Sequence, residues 1–310
     1  MIKKLSLLLL AVGFAIPASA AKLRIVATIP ELMDMTQRLG GERVTVDGLA
    51  RGGEDIHQVV MRPSFVTKLN RPDAVVYLGL TVEHTFLPGL LGVAANPKMR
   101  ADPLLACAGP GCIDVSKDVP ILDKPETLSR AEGELHPQGN PHYNIGAQNG
   151  PQIARNITEG LARIDPEHAA EYDKNFRAYL AELNDNLEQW KKLVAPLKGV
   201  KAVSYHKDVV YLAHFTGLDF IDTVELKPGV AATPTHLAAL IQKMKQQNVK
   251  LIVREQHFES NTVDWLAKQT GAKVAVIGVM ANSLPQTQTW VKLMDKNLNN
   301  IVAAAGTPKP

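Results

Sequence analysis

Nine histidines are spread along the chain, and several of them, with nearby carboxylates, share one placement: each follows a short apolar run of the kind that forms a buried strand. His57 closes Gly52-Gly53-Glu54-Asp55-Ile56-His57, His142 lies in Gly139-Asn140-Pro141-His142-Tyr143, and His206 directly follows Val203-Ser204-Tyr205. A fourth such place is Val253-Arg254-Glu255-Gln256-His257-Phe258-Glu259. In parallel sheets, ligands bind beyond the carboxyl ends of the strands, where loops converge and helix N-termini point inward. Three neutral imidazoles and one carboxylate make a four-coordinate nitrogen and oxygen shell, which suits zinc better than the oxygen-rich shells of calcium or magnesium. His57, His142, His206 and Glu259 are therefore the candidate metal ligands. His257 could take the place of Glu259, and His136, in Glu132-Gly133-Glu134-Leu135-His136, is a candidate accessory contact. His84, His168, His214 and His236 fall at the starts or in the bodies of expected helices and are expected to be non-ligands.

The elements that must position these groups are legible as eight apolar or β-branched runs. They are Leu23 to Ala27, Val44 to Leu49, Ala74 to Leu78, Ile113 to Val115, Ala202 to Tyr205, Phe220 to Val224, Leu251 to Val253 and Val274 to Ile277. Alternation of such runs with helical stretches implies an α/β protein with parallel sheets. The runs fall into two groups of four, one on each side of Pro166 to Leu197, a stretch with apolar residues at helical spacing and no internal glycine or proline before Pro196. A single helix of that length is roughly 45 Å long, enough to run along two lobes and restrain hinging between them. The expected organisation is a leader at 1–20, an N-terminal lobe at 21–165, a linking helix at 166–197 and a C-terminal lobe at 198–310. Asp123 to Asn140, without periodicity, reads as a long loop.

Met1-Ile2-Lys3-Lys4, an apolar stretch from Leu5 to Ile16, and Pro17-Ala18-Ser19-Ala20 have the form of a secretory signal peptide cleaved after Ala20. The apolar run is too short for a membrane anchor, no cysteine follows it to carry lipid, and stable membrane insertion is not expected. Removal of Lys3 and Lys4 takes 34 basic residues to 32 against 31 acidic ones, so the charge falls from +3 to +1. No bulk field then favours nucleic acid. The exported address, taken to be the periplasm, makes a disulfide the first reading of the two cysteines, Cys107 and Cys112.

The chain resembles the cluster A-I (cluster 9) solute-binding proteins of ATP-binding-cassette (ABC) importers for zinc and manganese. The resemblance runs through nearly the whole chain after the leader and is most specific in His136-Pro137-Gln138-Gly139-Asn140-Pro141-His142-Tyr143, in Lys227-Pro228-Gly229-Val230 leading to Pro234-Thr235-His236-Leu237, and in Thr270-Gly271-Ala272-Lys273-Val274. It implies two parallel-sheet (βα)4 lobes bridged by a rigid helix, with metal in the interlobe cleft. Carried over by position, the ligands are His57, His142 and His206, with Glu259 where many relatives have aspartate; because some zinc-uptake relatives have no protein ligand at that fourth position, the resemblance puts Glu54, Asp55 and Glu255 in reserve. Histidine at the third position favours Zn2+ over Mn2+, and imidazole suits zinc while carboxylate suits manganese. The implied partner is an inner-membrane ABC permease, and the protein is expected to be a monomer and not an enzyme. Two other readings use the same groups. One is an exported zinc hydrolase, which needs an open water position and a general base; the other is a periplasmic zinc chaperone.

Overall fold

The computed structural model describes residues 21–125 and 136–306; the expected leader and the middle of the expected loop lie outside them. The first four predicted runs form one sheet. Its strands are β1 (Leu23–Ala27), β2 (Val44–Gly48), β3 (Ala74–Tyr77) and, after a small hairpin of β4 (Arg100–Asp102) and β5 (Ala106–Ala108), β6 (Cys112–Asp114). All pairs in it are parallel, in the order β2-β1-β3-β6. The second sheet contains β7 (Lys201–Ser204), β8 (Asp219–Thr223), β9 (Leu251–Glu255) and β10 (Lys273–Ile277), also parallel, in the order β10-β9-β7-β8. Within each sheet the first strand is central, the second lies on one side of it, and the third and fourth lie on the other. Each sheet therefore has a point where the winding reverses, and the crevice at the strand ends there is a natural ligand site.

The helices are α1 (Pro30–Gly40), α2 (Pro63–Asn70), α3 (Leu87–Ala94), α4 (Gly150–Ile164), α5 (Ala169–Val194), α6 (Val210–Thr216), α7 (Pro234–Gln246), α8 (Ser260–Thr270) and α9 (Trp290–Ala305). The predicted linking helix is α5 with a 3-10 turn at each end, Pro166–His168 and Ala195–Leu197. Its apolar stripe of Tyr172, Phe176, Tyr179, Leu183, Trp190 and Val194 is buried. Toward its N-terminal half α5 is tied to α1 by Arg38–Glu182 (2.9 Å) and by the Asn175 amide donating to the Leu39 carbonyl (2.9 Å); toward its C-terminal half Trp190 meets Trp290 of α9 edge to face at 6.0 Å.

The main apolar core does not stop between the sheets. It includes Ile25, Val26 and Val75 of the first sheet, the buried stripe of α5, Leu251, Val253, Ala275 and Ile277 of the second, and Leu293, Leu298 and Ile301 of α9. Among the described residues, the far face of the second sheet has its own cluster, in which Val203 and Ile252 pack with Leu240, Met244, Val263 and Leu266. The period-2 alternation along β9 decides this: Leu251 and Val253 point to the shared core, Ile252 to the separate one. The hairpin β4–β5 is not foreseen, because three-residue strands containing Arg100 and Asp102 leave no apolar pattern to read. Its second strand carries Cys107, which is bonded to Cys112 in β6 as expected, with Cα atoms 5.9 Å apart.

Candidate metal centre

His57, His142 and His206 converge. One ring nitrogen from each lies within 4.8 Å of the others, and among the described residues this is the group of histidine, cysteine and carboxylate side chains able to hold an ion. The Nε2 atoms of His57 and His142 are 2.9 Å apart, and ring centroids lie 5.0 Å (His57–His142), 5.8 Å (His142–His206) and 6.2 Å (His57–His206) apart.

Each ring is aimed by its own loop. His57 rides a 3-10 turn, Ile56–Gln58, whose entry is capped by Asp55: the carboxylate accepts from the His57 backbone N–H at 2.9 Å. Glu54 holds the same loop by accepting from Arg51 N–H (2.8 Å) and pairing with Arg62. His142 is fixed by Asn140, whose side-chain oxygen accepts from both the backbone N–H (3.0 Å) and Nδ1–H (2.9 Å) of His142. His206 lies two residues beyond β7, and its Nδ1–H donates to the buried carboxylate of Glu225 at 2.7 Å. In His142 and His206 the Nδ1 proton is thus committed, which leaves the lone pair on Nε2. An outer carboxylate or amide that fixes the tautomer in this way is what orients metal-ligating histidines.

Around the rings is a cavity of about 40 Å³ lined by Asp55, Asp208, Glu225, Gly229, His257 and Phe258 together with the three histidines. That volume suits an ion or a water and is far below the several hundred Å³ of an organic-ligand pocket. Burial, with His57 and His206 beside it, holds the His142 ring well below the usual imidazole range. Burial acts against a charge on His206 too, but the bond to Glu225 and the proximity of Asp208 outweigh it and raise its pKa. Burial takes His136 down to about 3, with His57 and His84 adding to the shift.

The structure does not bring Glu259 to the rings. β9 runs on to Glu255, a tight turn follows in which Phe258 N–H donates to the Glu255 carbonyl (3.2 Å), and Glu259 emerges exposed at the N-cap of α8. Among the reserve residues, His257 and Asp55 line the cavity, whereas Glu54 is engaged with Arg62. Glu255 is fully buried and does not line the cavity; burial and neighbouring Asp208 push its pKa well up. His136 stacks near the cluster, its ring 5.2 Å from that of His57 and 6.1 Å from that of His142. Asn140 and Glu225, which orient two of the rings, are absent from the sequence-based set. Glu225 had a readable signal, since it is a carboxylate just past the strand run Phe220 to Val224; Asn140 had none beyond its place two residues before His142.

Behind the cluster, two buried carboxyls set the backbone. Glu31 accepts from the Asn144 side chain (2.8 Å) and from Ala281 N–H (3.0 Å), so it joins α1 to the loop after β10. Glu83 accepts from Leu78 N–H (2.7 Å), Gly79 N–H (3.1 Å) and the Thr28 hydroxyl (2.9 Å). Burial raises both pKa values to about 7. Because these folded-state values exceed the unfolded ones, their contribution to stability is complete below pH 4.5 and is lost as pH rises through 7. The buried neutral histidines act in the opposite sense below pH 6.5, so the test is a difference. The stability advantage of wild type over Glu83→Gln is expected to shrink by on the order of 2 kcal/mol between pH 5 and pH 8 in urea unfolding. A constant difference would mean that Glu83 is ionised throughout.

Two parallel α/β sheets sharing one core, with three imidazoles meeting in an ion-sized cavity between their strand ends, define a two-lobed solute-binding protein whose solute is a single ion. The family described as ZnuA, zinc-uptake complex component A, periplasmic, matches residues 25–304, and the chain belongs to that family. Among relatives, it is 24% identical over 284 residues to the metal ABC transporter substrate-binding lipoprotein SloC of Streptococcus mutans, covering 88% of each chain. It is 23% identical over 302 residues to the manganese ABC transporter substrate-binding lipoprotein scaA of Streptococcus gordonii, covering 92% of this chain and 89% of that one. Its fold matches a crystal structure of ZnuA with a TM-score of 0.76 at 24% identity, over 92% of this chain and 99% of the other.

Proposed function

We propose that the protein captures a zinc ion in the periplasm through His57, His142 and His206 and delivers it to the permease of an ABC importer. The convergence of the three rings is the observation that carries this reading. Zinc–imidazole bonds of about 2.0–2.1 Å in a tetrahedron require nitrogens roughly 3.3 Å apart, a separation that the three donors, all within 4.8 Å of one another, reach with small side-chain shifts. The donor set is imidazole, while manganese favours carboxylate and water, and Glu225, a carboxylate close to the rings, is already engaged by His206. A fourth donor would come from the cavity lining, where Asp55, Asp208 and His257 stand. A hydrolase would need room for a substrate beside the metal, and about 40 Å³ does not supply it. No helix among the described residues is long and apolar enough to cross a membrane.

Calorimetric titration with zinc and with manganese, at pH 7 and at pH 5.5, tests the proposal. Zinc is expected to bind more tightly than manganese at pH 7 and to weaken on acidification, since metal competes with protons for imidazole. The loss should be shallower than the thousandfold per pH unit that three freely titrating imidazoles would give, because His142 is already held neutral and the upward-shifted His206 carries much of the proton competition. Tighter binding of manganese, or affinity unchanged at pH 5.5, would contradict a three-imidazole zinc site.

A further inference from the structure

We infer that Tyr211 is a positioning residue of the metal centre: acting through Asn140, its hydroxyl holds the His142 ring in fixed relation to the segment that carries His206. The inference rests on the zinc-capture reading above and concerns what fixes the geometry of the centre before an ion arrives. His142 stands on neither a strand nor an α-helix; it precedes two 3-10 turns, Tyr143–Ile145 and Ala147–Asn149. The direction of its ring therefore depends on side chains around its loop. Asn140 supplies the immediate contact, its amide oxygen accepting from both N–H groups of His142, so whatever fixes Asn140 fixes the ring.

Three residues close a hydrogen-bonded ring around Asn140. The Tyr211 hydroxyl donates to the Asn140 carbonyl at 2.8 Å and accepts from Leu122 N–H at 3.1 Å, and Asn140 N–H donates to the Leu122 carbonyl at 3.0 Å. The one remaining polar group of Asn140, its amide nitrogen, donates to the carbonyl of Lys207, the neighbour of His206, at 2.8 Å. Every donor and acceptor of Asn140 is thus committed, and both Tyr211 and Asn140 are buried. The body of Tyr211 meets the same loop again. Its ring lies edge to face with that of Tyr143 at 6.3 Å, a Cβ added at Gly146 would stand 2.7 Å from the Tyr211 Cβ, and the Gln148 amide donates to the Tyr211 carbonyl at 3.2 Å. A phenylalanine would keep these packing contacts, so the hydroxyl can be removed by itself.

His142 precedes the long helix α5 and belongs to the half of the chain that builds the first sheet, whereas Lys207 and Tyr211 follow β7 of the second. The carbonyl and the amide nitrogen of Asn140 therefore tie one ligand to the segment of another, by bonds that do not pass through a metal. An ion arriving between the rings meets two nitrogens already set in relation to each other. Ordering that precedes binding is not charged against affinity. Without the hydroxyl, the Asn140 carbonyl loses its buried donor, the loop gains freedom, and the ring must be ordered by the ion itself.

A double-mutant cycle with zinc and histidine nitrogen NMR of the metal-free protein test this on the full chain. Tyr211→Phe is expected to lower zinc affinity about tenfold, the scale of other outer partners of metal-bound histidines. In a His142→Ala background the same change should lower it by no more than about twofold, because the ring through which it acts is gone. Tyr172→Phe serves as the comparison: it removes a hydroxyl that donates to Asp165 at 2.7 Å at the start of α5, and it should reduce stability to urea while leaving zinc affinity within about twofold. In the metal-free wild type, His142 should show separate protonated and unprotonated ring nitrogens, and Tyr211→Phe should draw the two signals together as the tautomers exchange. Equal losses of zinc affinity in the two backgrounds would make Tyr211 a purely structural residue and overturn the proposal, as would unchanged affinity with unchanged ring signals. If wild type bound no zinc the capture reading would fall, and the metal-free spectra, which need no ion, would still decide whether Tyr211 sets the ring.

Discussion

His142→Ala is expected to lower zinc affinity by at least two orders of magnitude, about 3 kcal/mol or more, with His57→Ala and His206→Ala losing at least one. The ranking follows from what each ring contributes at neutral pH. His142 is buried, its tautomer is set by Asn140, and burial keeps it unprotonated, so its lone pair is available without displacing a proton. His206, with its raised pKa, gives back part of its binding free energy in releasing one. Glu225→Gln keeps the fold but removes the charge behind His206, and a change to such an outer partner typically lowers metal affinity by about 10–100-fold. Glu259→Ala, at an exposed N-cap, should leave affinity within about twofold. Calorimetry with a competing chelator reads all five. Equal losses at Glu259 and His142 would refute the assignment of the centre.

The fold was legible because parallel strands buried on both faces leave continuous β-branched runs, and all eight predicted runs coincide with strands of the two sheets. The linking helix was legible for a different reason. Pro166 pre-sets its first turn and Pro196 ends its periodic stripe, so both boundaries are marked by residues with fixed φ. The strand-end rule then selected three histidines far apart in sequence that the structure places within reach of one another. It failed at Glu259, where position along the chain says nothing about direction: four residues past Glu255, a tight turn has already reversed the backbone and delivered the side chain to solvent. Nor does the division into two lobes read from strand count predict a shared core. That depends on which face of β9 and β10 meets α5 and α9, and alternation gives two faces without saying which neighbour each will find.

The shared core leads to the second large effect, which concerns Trp290. Its ring is fully buried and meets Trp190 of α5 edge to face. It lies so close over Gly150 that a Cβ there would stand 2.3 Å from it, and its indole N–H donates to the Asn144 carbonyl at 2.7 Å. Asn144 in turn donates to Glu31 (2.8 Å) and to the Val279 carbonyl (2.9 Å), so one side chain links α9, α5, the start of α4 and the loop two residues beyond His142. Trp290→Ala is expected to destabilise the protein by about 3–5 kcal/mol, as large-to-small changes of buried aromatics do. Trp290→Phe, which keeps most of the ring but leaves the Asn144 carbonyl without its donor, should cost about 1–3 kcal/mol. If the core is continuous, urea unfolding of Trp290→Ala remains a single transition moved to lower denaturant, and zinc affinity falls along with it because the His142 loop has lost its support. Two separated transitions, only one of them displaced, would show that the sheets unfold independently and that the packing of α9 on α5 is not what holds the three imidazoles together.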